Sequence, residues 1–413
     1  MLKKIYTSVM HESLYRNSVY FMASTLITAI FGFIFWILNA RLFRPEQIGI
    51  ATTIVSATAL ITQFSLLGLK NSIIRYLPKS ATKNNKINTG SNIITVFTLV
   101  LCVLYILFLP VLSTKLLFLR DNVMYSFLFI IFVLSFSLNQ LQESIFVAYR
   151  STGYVLVKNA LWGIIKVILP MFLISFGAFG VFFAFSFGSI ISFLFGLYVL
   201  IRRFQYKISP VVSLDVIKQI GKFSLGDYVG IFFAELPYFI MPLIIINYIG
   251  ASQSAYYYID LQIATFLYMI PFAITQSLFA EGSANEQSIK QHLKKAAILI
   301  FCLLIPAILA TVVFGGLVLK VFGSLYAENG LVLLRLLAIG GVFSAINSIG
   351  SAILHIQKKI KTYVFLNFIS AIVLILASFV LLSHGLSGIG MAIITEQAVI
   401  TVIYTFILIK SFR

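Results

Sequence analysis

Residues 24–54 read STLITAIFGFIFWILNARLFRPEQIGIATTI, and the rest of the chain repeats the pattern set there. An apolar run ends at a short connection carrying Arg41, Arg44 and Pro45, and a second apolar run follows at once. A bilayer core about 30 Å thick needs about 20 apolar residues to be crossed as a helix. Applied along the 413 residues, that measure predicts spans at 17–40, 48–69, 90–112, 123–148, 157–176 and 180–201. Six more follow at 222–248, 252–280, 296–316, 329–354, 363–383 and 388–409. Glycine and proline inside these runs do not break them, because membrane helices tolerate both. The expected class is an all-α polytopic membrane protein of about twelve transmembrane helices.

Composition points the same way. The chain is 60% hydrophobic and 10% charged, with a mean hydropathy of +1.03. A soluble domain carries about 25% charged residues, so this chain cannot assemble a water-facing surface. The net charge of +18 does not imply nucleic acid as a partner, because the basic residues recur in short groups between apolar runs. Cys102 and Cys302 each fall inside an apolar run and read as packed thiols rather than a disulfide or metal pair. The opening MLKKIYTSVMHESLYRNS is polar and basic and leads into a full-length span, so the first helix is expected to remain as an anchor.

The distribution of Lys and Arg sets an orientation. With the N-terminus inside, 23 of the 30 basic residues fall in the termini and even-numbered loops, and 5 fall in the outside loops. Lys166 and Arg335 remain within spans. The excess returns at every second loop, which places both termini in the cytoplasm and requires an even number of spans.

The two halves of the sequence resemble each other. LFRPEQIGIATTI (42–54) joins the first two spans, and NYIGASQSAYYYI (247–259) holds the corresponding place about 206 residues later. The connections GAFG (Gly177 to Gly180) and GLSG (Gly385 to Gly388) lie 208 residues apart. Two landmarks at one spacing imply an internal duplication of six spans. The predicted domains are a six-helix lobe over 1–203, a cytoplasmic linker over 204–221 and a second six-helix lobe over 222–413. Halves of even span number that begin on one side form a parallel repeat related by a pseudo-two-fold, and such halves commonly enclose a cavity.

Ionisable groups inside spans cost about 2.5–3.5 kcal/mol at the helix centre, so each is a candidate for a polar interior. Lys166 falls near the middle of the fifth span and Glu235 in the middle of the seventh. Asp260 and Glu396 lie about two turns into the eighth and twelfth spans. Arg335 enters the tenth span, while Glu143 and Asp227 lie nearer cytoplasmic ends and read as headgroup contacts, as Arg335 also does. For Lys166 the competing reading is an ion pair with Glu235 or Glu396 that serves structure alone. Pro237 and Pro242 follow Glu235 closely, each removing a backbone donor, which suits either a hinge in the seventh span or a static kink.

Catalytic patterns are missing from the sequence. It contains no phosphate-binding loop, no Asp-x-Asp, no His-Glu-x-x-His and no Gly-x-Ser-x-Gly, and its four histidines are scattered. No enzymatic activity, metal or cofactor is expected from it.

The stretch 24–54 resembles the polysaccharide-biosynthesis transporters of the multidrug/oligosaccharidyl-lipid/polysaccharide superfamily. GLKNSIIRYLPKS (Gly68 to Ser80), its second-half counterpart TQSLFAEGSA (Thr275 to Ala284) and FVAYRSTGYVLVKN between the fourth and fifth spans extend that likeness over the whole chain. The resemblance implies a fold of the multidrug-extruder type, two six-helix lobes around a cavity that opens alternately to each side. It implies a flippase for undecaprenyl-pyrophosphate-linked oligosaccharide, with polysaccharide polymerase, chain-length regulator and membrane lipids as partners.

Under that resemblance Lys166, Arg75 and Arg335 are the candidate cations for the pyrophosphate. Glu235, Asp260 and Glu396 are candidates for coupling to H+ or Na+, and Pro237 and Pro242 for the hinge. Two departures bear on the subfamily. Lipid II flippases of this superfamily usually have fourteen helices, and this chain has room for twelve. Multidrug extruders commonly carry an acidic ion site in the first half, whereas the first span here has no acidic residue. A cation-coupled drug antiporter is the second reading, and a non-transporting assembly or lipid-binding protein the third.

Overall fold

A computed structural model describes residues 13–78, 80–284 and 289–412. Lys3, Lys4, Lys79 and Arg413 of the charge pattern lie outside the described residues, as do the side chains of Lys222, Asp227, Lys290 and Lys410. The first half folds as α1 (Ser13–Leu42), α2 (Pro45–Leu66), α3 (Leu69–Tyr76), α4 (Lys83–Leu112), α5 (Phe118–Asp121), α6 (Val123–Ala148), α7 (Gly153–Ile168) and α8 (Gly177–Phe204). The second half folds as α9 (Leu214–Tyr248), α10 (Ala251–Ala284), α11 (Ile289–Phe322), α12 (Ser324–Ile356), α13 (Ile360–Leu381) and α14 (Gly385–Phe412).

Among the described residues eleven stretches are long and apolar enough to cross a membrane. The last, Ile360–Ile407, holds two helices, α13 and α14, separated by the tight turn Leu382–His384. Each of the twelve predicted spans therefore has its helix, and α3 and α5 are the additions. The chain is a multi-pass, all-α membrane protein.

Several helices run past the ends that hydropathy predicts. α4 begins at Lys83 rather than 90, α9 at Leu214 rather than 222, and α11 reaches Phe322 rather than 316. Hydropathy reads the thickness of the bilayer, whereas the i to i−4 hydrogen bonds continue into water for as long as no residue stops them. The start of α6 has a local cause. The Asn122 side chain accepts from the backbone N–H of Met124 at 2.9 Å and of Tyr125 at 3.3 Å, supplying partners for donors that a helix start leaves open.

The chain divides into two compact units. One comprises Met1–Arg44 and Ile54–Tyr228, the other Pro45–Thr53 and Val229–Arg413. The division passes through α2 and α9 as well as beyond the loop that follows α8. The first turns of α2 belong with the second unit because small residues allow close approach: Gly49 lies against the Ala251 carbonyl, where any side chain would collide. Thr53 Oγ1 and Ser254 Oγ, 3.2 Å apart, fix the same contact.

In the first unit α1 packs on α7, α7 on α8, and α8 on α6, with α6 also packing on α3 and α4. Small and hydroxylated residues line these seams, as expected where no hydrophobic drive favours protein over lipid. Ser135 and Ser189 meet at 2.9 Å between α6 and α8, and Asn159 Nδ2 donates to Ser24 Oγ at 2.9 Å between α7 and α1. The linker after α8 is tied to the start of α4. Asn88 donates to the Lys207 carbonyl at 2.9 Å and accepts from Tyr206 Oη at 2.6 Å, and Asn92 donates to the Ser209 carbonyl at 3.0 Å.

In the second unit α12 lies at the centre, packed on α10, α11 and α14, while α13 packs on α14. Asn367 of α13 donates to the Gly230 carbonyl of α9 at 3.1 Å.

The duplication seen in the sequence recurs in local geometry. Ile174–Phe176 and Leu382–His384 are both short 3₁₀ turns, each closed by a glycine of nearly identical backbone: Gly177 at φ 55, ψ −134 and Gly385 at φ 60, ψ −141. Side-chain-bearing residues rarely adopt that conformation. Three residues on, Gly180 and Gly388 sit against the carbonyls of Leu173 and Leu381, seven positions back in both cases.

Candidate functional site

The first unit buries two lysines along one helix. Lys158 and Lys166 lie on α7 eight residues apart with Trp162 between them, a spacing that puts all three on one face. Lys166 is 2% exposed. Its ammonium stands 4.0 Å from the centre of the Trp162 ring and 5.8 Å from that of Phe185, with Gly32 of α1 adjoining. The Trp162 ring is itself held, donating Nε1–H to the Phe185 carbonyl of α8 at 2.8 Å and meeting Phe136 edge-on. No carboxylate among the described residues of the first unit pairs with Lys166. Aromatic faces stabilise a cation without consuming its charge, so the ammonium stays available to an anion. Lys166 occupies the last turn of α7, three residues before the turn Leu169–Phe172 that closes the span, and so lies nearer one end than its predicted mid-span place.

The alternation of basic residues counts Lys158 with the cytoplasmic loop before the fifth span, and the structure places it inside α7. It is fully buried in the second turn of α7 and donates to Gln142 Oε1 at 2.8 Å and to the Asn139 carbonyl at 3.3 Å, both on α6. Gln142 in turn donates to the Phe193 carbonyl of α8 at 3.2 Å, and Ser192 to Asn139 Oδ1 at 3.3 Å. The missed signal was the i, i+4, i+8 spacing to Lys166, which a hydropathy window averages away.

Arg75 lies apart from these lysines, on the exposed face of the amphipathic α3, beside the Tyr76 ring and outside the spans. Its neighbour Lys70 donates to Gln140 Oε1 at 2.6 Å. Burial against α6 pulls the Lys70 ammonium below its ordinary value, and the Glu143 carboxylate partly offsets this. Arg335 belongs to the second unit, on the exposed side of α12, with Nε donating to the Val312 carbonyl of α11 at 3.1 Å.

The second unit collects the embedded acids. Glu396 of α14 is 2% exposed; Ser370 of α13 donates to its Oε1. The phenol of Tyr238 on α9 lies within electrostatic reach of Glu235, Glu396, Tyr257 and Tyr268. Beside Glu396, Asn347 of α12 donates to Gln397 Oε1 at 2.8 Å and accepts from Thr401 at 2.9 Å. Glu235 keeps an exposed side chain on α9. Pro237 and Pro242 lie inside the continuous 35-residue α9, and the Pro242 carbonyl accepts from Ser254 at 3.5 Å. Asp260 of α10 is fully buried, and among the described residues neither carboxyl oxygen has a hydrogen-bond partner. Among the described residues no three His, Cys, Asp or Glu side chains converge as metal ligands. Cys102 is buried and Cys302 exposed, both as free thiols.

The 208-residue repeat relates the two sites. Adding 208 carries Trp162 to Ser370 and Gly188 to Glu396. In the first unit Trp162 packs into the space left by Gly188, and in the second Ser370 bonds Glu396 across the matching seam. One seam has been furnished twice, once with an aromatic-held cation and once with a carboxylate.

The model of the polysaccharide biosynthesis protein family matches residues 14–279. A "Putative O-antigen transporter" of Shigella flexneri is 31% identical over 121 residues, a match spanning 29% of this chain and 29% of that relative. Among solved structures, the lipid II flippase MurJ in an inward closed conformation superposes with a TM-score of 0.76 at 16% identity, covering 95% of this chain and 87% of that one. An inward-facing multidrug resistance MATE transporter of the MOP superfamily gives 0.72 at 15% identity, covering 93% and 96%. At these identities the superpositions show the fold alone, and the family match covers well over half the sequence. The chain belongs to the polysaccharide biosynthesis protein family, on a fold shared with transporters of the MOP superfamily.

Proposed function

We propose that this protein is a flippase that carries an undecaprenyl-pyrophosphate-linked oligosaccharide, the repeat unit of an O-antigen, capsule or exopolysaccharide, across the cytoplasmic membrane by alternating access. The observation that carries the reading is Lys166, a buried ammonium held on aromatic rings with no carboxylate beside it among the described residues of its own unit. A cation left unpaired in an apolar setting is costly unless an anion shares its time there. A compact ammonium suits a pyrophosphate, and a cationic drug would be repelled by it. The family match and the MurJ-like fold support a lipid-linked cargo.

Transport is coupled to H+ or Na+, with Glu396 and Glu235 as the acids that load and unload. The protein lies in the cytoplasmic (inner) membrane with both termini inside, as the alternation of basic loops implies. It works beside a polysaccharide polymerase and a chain-length regulator.

Deleting the gene should strand lipid-linked repeats on the cytoplasmic leaflet and remove surface glycan. Restored by plasmid at normal level, Lys166→Arg should return most of the glycan and Lys166→Ala little of it. Normal glycan in the deletion strain, with no second flippase gene present, would sink the reading. Heightened sensitivity to cationic dyes in that strain would favour the drug antiporter instead.

A further inference from the structure

Asp260 is separate from the acid cluster around Glu396. It faces α12 from α10, with both carboxyl oxygens against Gly330: a methyl group at that glycine would lie 2.8 Å from each. One turn earlier on each helix, Tyr256 and Tyr326 meet edge-on with ring centres 5.2 Å apart, so the two helices run in register along this seam. The Tyr326 hydroxyl is also buried and unpartnered. The seam therefore holds three orphaned oxygens and has zero exposure at Asp260.

The charged groups nearby do not compensate an anion. Glu46 of α2 and Glu328 of α12 act on Tyr256 and are themselves acidic. On α10 itself Tyr257 and Tyr268 are neutral phenols, with Tyr268 Oη committed to the Leu337 carbonyl at 2.8 Å. α11 carries its cations toward its ends, at His292, Lys294, Lys295 and Lys320, and Arg335 of α12 lies on the exposed side of that helix with Nε given to the Val312 carbonyl at 3.1 Å. An ionised carboxylate closed off in this way is far costlier than a neutral one, and three oxygens alone make a poor shell for a metal cation.

We propose that Asp260 is a proton-binding site sealed in the α10–α12 seam, protonated while the helices are in contact and able to exchange its proton only when they part. Gly330 is the device that makes the seal, because the carboxyl takes the space that a side chain there would fill. Such a site is a proton store whose release is tied to helix separation. Its use in a transport cycle rests on the flippase reading above, but its existence does not.

The test uses the purified full chain in lipid nanodiscs without substrate. Infrared difference spectra between H2O and D2O should show a protonated-carboxyl band at neutral pH that disappears in Asp260→Asn, an isosteric change. That band should exchange slowly in the wild type and faster in Gly330→Ala, where the methyl wedges the seam open. A wild-type spectrum matching that of Asp260→Asn overturns the proposal, as does wild-type exchange as fast as that of Gly330→Ala. Should Asp260→Asn fail to fold, Asp260→Glu serves in its place, with a displaced band expected and an unmoved band against the proposal.

Discussion

At the scale of single residues, α7 uses two buried lysines in different ways. Lys166 has rings for neighbours and, among the described residues of its unit, no hydrogen-bond acceptor, which leaves its charge open to a ligand. Lys158 is tied by hydrogen bonds to α6 and so joins helices rather than waiting for cargo. Lys158→Met should therefore cost stability: it leaves the Gln142 Oε1 acceptor unpaired, about 1–3 kcal/mol by the usual cost of an orphaned buried group. A lowered thermal midpoint of the purified protein in detergent would register this, and an unchanged midpoint would refute the joining role. The sequence marked Lys166 because one charge stood alone in WGIIKVILP, and it passed over Lys158 because that residue falls where a span begins. Glu396 was legible for the same reason as Lys166. Its partner Ser370, 26 residues away on another helix, was not, since hydroxyls are common in membrane helices and only packing selects one.

At the scale of elements, the duplicated turns carry the most information. Gly177 and Gly385 hold backbone conformations that disfavour a Cβ by about 1–3 kcal/mol. Gly177→Ala and Gly385→Ala should each lower the thermal midpoint of the purified protein. Gly316→Ala, where the new methyl would meet only Leu331 side-chain atoms at ordinary distance, should not. Equal behaviour of the three variants would remove the backbone argument. The helix α3 was invisible to a search for spans because it is eight residues long and amphipathic. α9 passes both its prolines without ending, so proline in an apolar segment marked a place in a helix rather than a boundary.

At the scale of the whole molecule, the proposed sidedness makes a direct prediction. In a background lacking Cys102 and Cys302, single cysteines at Asn122 and Ser383 should react with an impermeant maleimide added to intact cells. Cysteines at Ala81 and Lys207 should react only after the membrane is opened. The reverse pattern would invert the orientation, and mixed labelling would deny a single one. The two units also differ in what they bury. Lys158 and Lys166 are buried in the first, and Asp260 and Glu396 in the second.

The sequence by itself determined the class, the number of spans, the duplication and the short roll of charges out of place. These follow from how much apolar surface a bilayer demands and how rarely it admits an ion, quantities carried by each residue independently of its neighbours. Only the tertiary structure decided which of those charges are compensated. The Trp162 ring lies four residues from Lys166 on one helix, but whether Phe185, Gln142, Ser370 or Gly330 adjoins a charge depends on residues from other helices, and no spacing along one chain encodes that meeting. The pattern opened at residues 24–54 thus gave the frame, while the contacts of Trp162, Ser370 and Gly330 settled the surroundings of Lys166, Glu396 and Asp260.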